Sequence, residues 1–170
     1  MYPTNAYMMF RGNAHYFDFK KHLNDNGIIL DFKNCTTIQY AFSTCYFTDI
    51  GVLDFTSASS LGDCFLSASY LTNIDKIILK DDGSQSLGTK PFSGCSNLTE
   101  VRFEGVIGTT GMTFSANTKL SHDSIMSIID ALQDLTGTGT TKSVTFGTTH
   151  LAKLTDAEKA IATDKGWTLA

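Results

Sequence analysis

The sequence predicts a mixed α/β fold, mostly strand and coil, in which short repeats stack as a solenoid with a parallel sheet on one face. A phrase of the form F-x-x-C-x-x-L-x-x-V-x-F, at residues 92–103, recurs in part along the chain. In each recurrence, apolar residues separated by one position mark a short strand. The connecting segments, such as residues 56–60, are rich in Ser and Thr. They lack the helical periodicity that a doubly wound α/β domain requires.

Phenylalanine landmarks define the repeat. They follow one another at intervals of 32, 23, 27 and 22 residues, mostly within the range of about 20–29 residues that is typical of leucine-rich repeats. A single coil of this length cannot bury its own apolar residues, so neighbouring coils must stack. We therefore expect the rings of Phe42, Phe65, Phe92 and Phe114 to stack as a ladder along the wall opposite the strands. The landmarks are Phe10, Phe42, Phe65, Phe92 and Phe114.

Each repeat also supplies one strand, whose alternate residues point into the coil. The resulting parallel strands are expected to form one sheet that lines one face of the solenoid. The predicted inward pairs are Leu30 with Phe32, Leu53 with Phe55, Ile77 with Leu79, and Val101 with Phe103.

The last fifty residues differ from the repeats, so we divide the chain into a leucine-rich-repeat solenoid at residues 1–120 and a C-terminal cap at 121–170. Ser121 has the character of an N-cap, and isoleucines and leucines follow at helical spacing until Gly137. Residues 143–146 predict a strand that continues the sheet. Thr155 and Glu158 form a capping-box pattern that opens a helix to about residue 164, and residues 166–169 predict a last strand. This helix–strand–helix region would cover the end of the solenoid.

Composition excludes several classes of protein. The 170 residues are 42% hydrophobic and 18% charged, with a net charge of −4, which argues against disorder, a coiled coil and a nucleic-acid partner.

No run approaches the roughly 20 apolar residues of a membrane span, and residues 1–10 lack the pattern of a secretory signal. The four cysteines have no metal-ligand spacing. We interpret them as small buried apolar side chains.

The candidate binding residues are those of the strands that point away from the core. Concave solenoid faces are the usual binding surface, and a mixture of exposed aliphatic and charged side chains is typical of a protein interface. The central positions are Asp31, Asp54, Ile78, Arg102 and Thr145, and Lys76 and Glu100 flank them.

Catalytic interpretations are weaker, and the sequence predicts no catalytic residue, metal site or cofactor. His122, Asp123 and Ser124 are adjacent, but neighbours at the start of a helix point in different directions, whereas a catalytic triad depends on spatial roles. An enzyme on a solenoid scaffold would need clustered acids on the concave face. Only Asp31 and Asp54 approach that arrangement.

Two phrases carry a family resemblance, residues 41–45 (AFSTC) and 91–98 (PFSGCSNL). They resemble the BspA-like leucine-rich repeats of bacterial surface proteins, over about residues 28 to 170. The tail, residues 151–170, looks like the C-terminal region of related proteins encoded by prophages of gut bacteria. The chain departs from the pattern at Phe47, where one residue is missing, at Ala68, where Cys is usual, and in a longer loop at 81–90.

The resemblance implies a non-enzymatic recognition or adhesion module that binds a protein or a glycan on a cell surface. The expected location is a bacterial cell surface, the secreted fraction or a phage virion. A different class of function also fits the repeats: a structural spacer or assembly element of a phage tail or bacterial surface layer. An enzyme would require a deep pocket with paired titrating groups.

Overall fold

The computed structural model describes residues 4–13, 18–27 and 31–170. Within these ranges the chain is a mixed α/β structure of parallel sheets and a few short helices. No helix among these residues has the length and apolar content that crossing a bilayer requires. The helices are α1 (Phe19–Asp25), α2 (His122–Ala131), α3 (Thr148–Leu151) and α4 (Asp156–Asp164). The strands are β1 (Asp49–Asp54), β2 (Asn73–Ile78), β3 (Glu100–Glu104), β4 (Met112–Thr113), β5 (Lys142–Thr145) and β6 (Trp167–Leu169).

The strands form two separate three-stranded parallel sheets, β1–β2–β3 and β4–β5–β6. The strands predicted near Leu53, Ile77 and Val101 are confirmed as β1, β2 and β3. Of the first predicted inward pair, Leu30 lies outside the described residues, and Phe32 is buried but belongs to no strand.

The predicted ladder of phenylalanine rings is confirmed, and it extends by one further ring at each end. Neighbouring ring centroids lie 5.3 to 6.2 Å apart along the whole series. Such offset pairs contribute about 0.5–1.5 kcal/mol each beyond their buried area. The ladder therefore joins the repeats to the C-terminal region. It runs through Phe10, Phe42, Phe65, Phe92, Phe114 and Phe146.

The turns that carry these rings stack through their backbones as well. Phe42 N donates to Cys64 O at 2.9 Å, and Ser67 N donates to Ser93 O at 2.7 Å. Gly94 in the next turn has φ of +79°, and a Cβ at this position would lie 2.8 Å from Ser67 Cα. Only glycine therefore fits where these two turns approach each other.

In two successive repeats the side chain three residues after the landmark phenylalanine donates to carbonyl groups of the preceding turn. Cys95 Sγ donates to Phe65 O at 3.0 Å. Asn117, one repeat later, donates through Nδ2 to Phe92 O at 3.0 Å and Cys95 O at 3.1 Å. Cysteine and asparagine share this position because both are small donors that satisfy a buried carbonyl.

Helix α2 ends the first sheet at β3. Ser124 Oγ accepts from Val101 N at 2.9 Å, and Ser127 Oγ accepts from Phe103 N at 2.8 Å. These two hydroxyls accept the hydrogen bonds that the amides of Val101 and Phe103 would otherwise donate to a further strand. The expectation that residues 143–146 continue this sheet is therefore wrong, because β5 pairs with β4 and β6 in the second sheet.

The rest of the C-terminal region follows the predicted order with two changes. Ser121 is the N-cap of α2 as expected, but the helix ends at Ala131 rather than running to Gly137, with Leu132 as its C-cap. A short extra helix, α3, follows β5. The capping box of Thr155 and Glu158 and the strand β6 are both confirmed.

Candidate functional site

The candidate site is the outer face of the β1–β2–β3 sheet. In β1 and β2 the core-facing residues are fully buried, Ile50 and Leu53 in the first strand and Ile74 and Ile77 in the second. The side chains between them remain partly or fully exposed. We define the outer face as Asp49, Gly51, Val52, Asp54, Asn73, Asp75, Lys76, Ile78, Glu100, Arg102 and Glu104.

The register of this sheet corrects the predicted alignment of two candidate residues. Ile78 lies opposite Glu104 rather than Arg102, and Glu100 lies opposite Asn73 rather than Lys76. The cause is a register shift between Ile74 and Ile77, where two residues of β2 face a single residue of β3. Such an extra residue bends a strand and re-aims its side chains.

Thr145 does not belong to the outer face. It lies in β5 and pairs with Thr113 of β4 in the second sheet. The predicted grouping of Thr145 with the other candidates is therefore wrong. Because α2 lies against the edge of β3, β5 cannot extend the first sheet.

The two aspartates at the central positions form turns. Asp31 lies outside any strand, and its Oδ1 accepts from Lys33 N at 2.8 Å. Asp54 ends β1, and its Oδ1 accepts from Thr56 N at 3.0 Å and from Thr56 Oγ1 at 2.6 Å. An Asp that accepts from the amide two residues ahead holds a local turn. Both carboxylates therefore shape the backbone where the chain leaves the sheet.

A network of four polar side chains crosses the N-terminal part of the face. Lys20 of α1 reaches over β1, and its Nζ lies 2.7 Å from Asp75 Oδ2. Asn73 Nδ2 donates to Asp49 Oδ1 and to Asp75 Oδ1, each at 3.0 Å. The amide thus joins two carboxylates on neighbouring strands.

The pKa values of the two carboxylates in this network are shifted in opposite directions. Burial raises the pKa of Asp49, and the hydrogen bond from Asn73 opposes that shift only in part. For Asp75, burial again acts to raise the pKa. Hydrogen bonds from Lys20 and Asn73, with the positive charges of Lys20 and Arg102, outweigh burial and lower the pKa below its ordinary value. Asp75 is therefore held in its charged form.

Of the remaining charged side chains of the face, Lys76, Glu100 and Glu104 have partners at contact distance among the described residues and Arg102 does not. Lys76 Nζ lies 2.6 Å from Glu104 Oε2. Glu100 Oε2 accepts from Ser121 Oγ at 2.8 Å and so contacts the start of α2. Arg102 is exposed, and within the described part of the chain its guanidinium makes no hydrogen bond or ion pair at contact distance.

Arg102 also borders a shallow depression of about 200 Å³. The depression is lined by Asn73, Ile74, Asp75, Glu100 and Arg102. It brings a guanidinium with five available donors close to two carboxylates and an amide. This arrangement offers donors and acceptors to a polar ligand on an otherwise open sheet.

The side chains of His122 and Ser124, considered above as catalytic candidates, contact other parts of the structure. His122 Nε2 lies 2.8 Å from Glu158 Oε1, whereas Ser124 is fully buried and its hydroxyl contacts β3 and Ser121. The three adjacent residues 122–124 thus do not form a relay from carboxylate to imidazole to hydroxyl. Their arrangement serves the start of α2.

The cysteines are free and buried, as the sequence indicated. Burial raises the pKa of the Cys45 thiol to about 11 and that of Cys95 to about 12, so both stay protonated at neutral pH. Within the described ranges no group of three or more His, Cys, Asp or Glu side chains is arranged to hold a metal ion.

The four residues of the polar network, Lys20, Asp49, Asn73 and Asp75, were missed at the level of sequence. In β2 the register shift exposes the consecutive positions Asp75 and Lys76. Asn73 and Asp75 therefore face outward, which a strict alternation counted back from the buried Ile77 does not anticipate. Lys20 belongs to α1, whose N-cap Asp18 accepts from Lys21 N at 2.7 Å. The Asp18 cap followed by apolar residues at helical spacing was a readable signal for this helix.

In comparisons with known proteins, no family model, curated protein or solved structure matches the chain.

Proposed function

We propose that this chain is a short leucine-rich-repeat solenoid that acts as a non-enzymatic recognition module. It would bind a protein or a glycan on a cell surface through the outer face of the β1–β2–β3 sheet. The solenoid interpretation is supported by the ladder of phenylalanine rings and by the backbone hydrogen bonds between successive turns. The strands of the first sheet are parallel and begin 24 and 27 residues apart, at residues 49, 73 and 100, which is the architecture that such repeats form.

One observation carries the functional proposal. Arg102 is an exposed cation with no partner at contact distance among the described residues, while its neighbours Lys20 and Lys76 are both paired. Arginine is enriched in interfaces because its planar guanidinium forms several hydrogen bonds at once. An unpaired arginine beside a polar depression therefore favours a role in binding a partner.

The apolar part of the same face supports this role. Val52 is 55% exposed, the largest exposure among the large hydrophobic side chains of the described residues. Ile78 is half-buried on the neighbouring strand. Aliphatic side chains flanked by charges are characteristic of recognition surfaces on soluble proteins.

The proposed location follows from the resemblance of the repeats to BspA-like surface proteins. A module of this kind would act at a bacterial cell surface, after secretion, or on a phage virion. The side chains on which a catalytic reading would depend are already engaged, Asp54 in a turn and Ser124 against β3. That engagement favours recognition over catalysis.

Binding of the fluorescently labelled full chain to intact gut bacteria and to mammalian epithelial cells tests the proposal, with flow cytometry as the readout. Arg102→Glu reverses the charge on β3 at the border of the depression. Lys90→Glu makes the same change at an exposed lysine in the turn before Phe92 and serves as the matched control. Urea unfolding of both variants verifies that they are folded.

We expect wild type and Lys90→Glu to bind one of the cell types, and Arg102→Glu to lose binding by about tenfold or more. Equal loss in both variants would mean that net charge, not the outer face, governs binding. An absence of binding by the wild type to every cell type would overturn the proposal and favour the structural spacer.

A further inference from the structure

Two exposed tyrosines lie side by side where the chain enters the first sheet. Tyr46 is 38% exposed and Tyr70 is 41% exposed. Their ring centroids are 4.5 Å apart and the ring planes meet at 42°. The two rings are in contact and each is exposed, so together they present aromatic surface to solvent.

The same position in the next two repeats is polar. Each member of the series directly precedes a buried apolar residue of its repeat. Asn97 Nδ2 donates to Ser69 O at 2.8 Å, which fixes the amide beside the Tyr70 backbone. Lys119 Nζ in turn donates to Asn97 Oδ1 at 2.5 Å. We call this series the tyrosine row: Tyr46, Tyr70, Asn97 and Lys119.

The row ends in a cation that no carboxylate neutralises among the described residues. A lysine ammonium has three donors, and the contact with Asn97 uses one of them. Lys119 is exposed, so two donors and the full charge remain for a ligand. The row thus combines an aromatic surface at one end with a cation at the other.

We propose that the tyrosine row binds an acidic oligosaccharide, with a sugar ring on Tyr46 and Tyr70 and a sugar carboxylate on Lys119. Tyrosine rings offer an apolar face for the C–H groups of a pyranose and a hydroxyl for its oxygens. This inference rests on the proposed function, for which it names the ligand class.

The dimensions of the row favour an oligosaccharide over a protein partner. The turns of Tyr70, Asn97 and Lys119 contact one another in sequence. At the spacing of about 4.8 Å between neighbouring hydrogen-bonded backbones, the two steps from Tyr70 to Lys119 span roughly 10 Å. A ligand that covers both ends must therefore be longer than one sugar ring. A protein interface requires about 800 Å² on each partner, which four side chains do not supply.

The row also lies next to the polar depression of the outer face. Tyr70 precedes Asn73 by three residues, and Asn97 precedes Glu100 by three residues. Arg102 follows Asn97 by five residues within the same repeat, whereas the row runs from one repeat to the next. The acidic ligand is assigned to the row alone, because the carboxylates of Asp75 and Glu100 line the depression.

Isothermal titration calorimetry of the full chain with tetragalacturonate tests the proposal. The fully methyl-esterified tetramer is the matched neutral probe, because it keeps the rings and removes the charge. The variants are Lys119→Gln and the double change Tyr46→Ala with Tyr70→Ala. The control is Tyr7→Ala, a change at a tyrosine that is 49% exposed outside the row.

We expect wild type and Tyr7→Ala to bind the acid more tightly than the ester. Lys119→Gln should weaken binding of the acid about fivefold and leave the ester unchanged. The double tyrosine variant should weaken binding of both probes by about tenfold or more. Added salt should reduce affinity for the acid alone, because exposed charges are screened.

An absence of binding of the acid by the wild type would overturn the inference. So would equal affinities of the row variants and the wild type, which would mean an adventitious contact of the anion elsewhere. If cell binding depends on Arg102 but the tetramer does not bind, the ligand class is wrong and the recognition function stands. If the tetramer binds through the row but no cell is bound, the cell-surface function fails and the inference stands.

Discussion

Replacement of Ser124 by Ala tests how the first sheet ends. Ser124 is fully buried, and its hydroxyl accepts from the amide of Val101, which is also fully buried. Without the hydroxyl this amide has no partner and water does not reach it, which costs about 1–3 kcal/mol. Alanine is the better helix former by about 0.5 kcal/mol. The two effects together predict a net loss of about 0.5–2.5 kcal/mol.

Ser127 provides the internal comparison. Its hydroxyl accepts from Phe103 N at 2.8 Å, but Phe103 is only half-buried. Water can replace this partner, so Ser127→Ala should cost less than Ser124→Ala. Ser96→Ala, at an exposed position, is the control and should change the free energy of unfolding by less than about 0.5 kcal/mol.

Urea unfolding followed by circular dichroism gives the free energies, and hydrogen exchange of the Val101 amide locates the change. We expect Ser124→Ala to lose stability and the Val101 amide to lose protection. A Ser124→Ala variant that is as stable as wild type, or more stable, would refute the reasoning. In that case only the higher helix propensity of alanine would be observed. The hydroxyl of Ser124 would then not be needed as a hydrogen-bond acceptor for the Val101 amide at the edge of β3.

Three further predictions concern the core, a close approach and pH. Phe65→Ala removes the middle ring of the ladder and should cost about 3–5 kcal/mol in urea unfolding, whereas a cost below 1 kcal/mol would mean that the ring does not pack as described. Gly108→Ala should destabilise strongly, because its Cβ would lie 2.0 Å from Gly83 O, and an unchanged urea midpoint would contradict that geometry. Hydrogen bonding to Glu158 raises the pKa of His122 above its ordinary value of about 6.5. The stabilising contribution of the imidazolium is therefore complete below about pH 6.5 and is lost as pH rises through the raised pKa. The urea midpoint of wild type should exceed that of H122Q at pH 5.5, and the two midpoints should converge at higher pH.

The periodicity of the sequence was sufficient to predict the aromatic core. Phe42, Phe65, Phe92 and Phe114 recur at nearly constant intervals, and each ring is buried against the ring of the next repeat. Phe146 was not predicted as part of the ladder because no repeat phrase surrounds it. Its place follows from the second sheet, where β5 brings it onto Phe114 with centroids 5.7 Å apart.

The boundary between the two sheets could not be predicted from sequence pattern. Residues 143–146 have the composition of a strand, and the pattern does not tell which sheet a strand joins. The deciding contacts are the hydroxyls of Ser124 and Ser127 on the amides of β3. Serines at this spacing are common on exposed helix faces, so the pattern alone does not indicate that they close a sheet.

The candidate site was predicted in part. Alternation along the strands indicated that Lys76 and Arg102 point outward, and both do. The pairing of the face was not predictable, because the register shift in β2 moves Arg102 out of line with Ile78. Asp54 carried a local signal that was overlooked, since an Asp two residues before Thr56 is typical of a side-chain turn.

Photo-crosslinking from Val52 tests the central claim most directly, that the outer face of the β1–β2–β3 sheet contacts a partner on the cell surface. A photoreactive benzoylphenylalanine replaces Val52 in one sample and Lys90 in a second, and each is irradiated on the cells that wild type binds. The account predicts covalent adducts with cell-surface material from position 52 and none above background from position 90. Adducts from position 90 alone, equal adducts from both, or none from either while the wild type still binds would place the contact elsewhere and contradict the account.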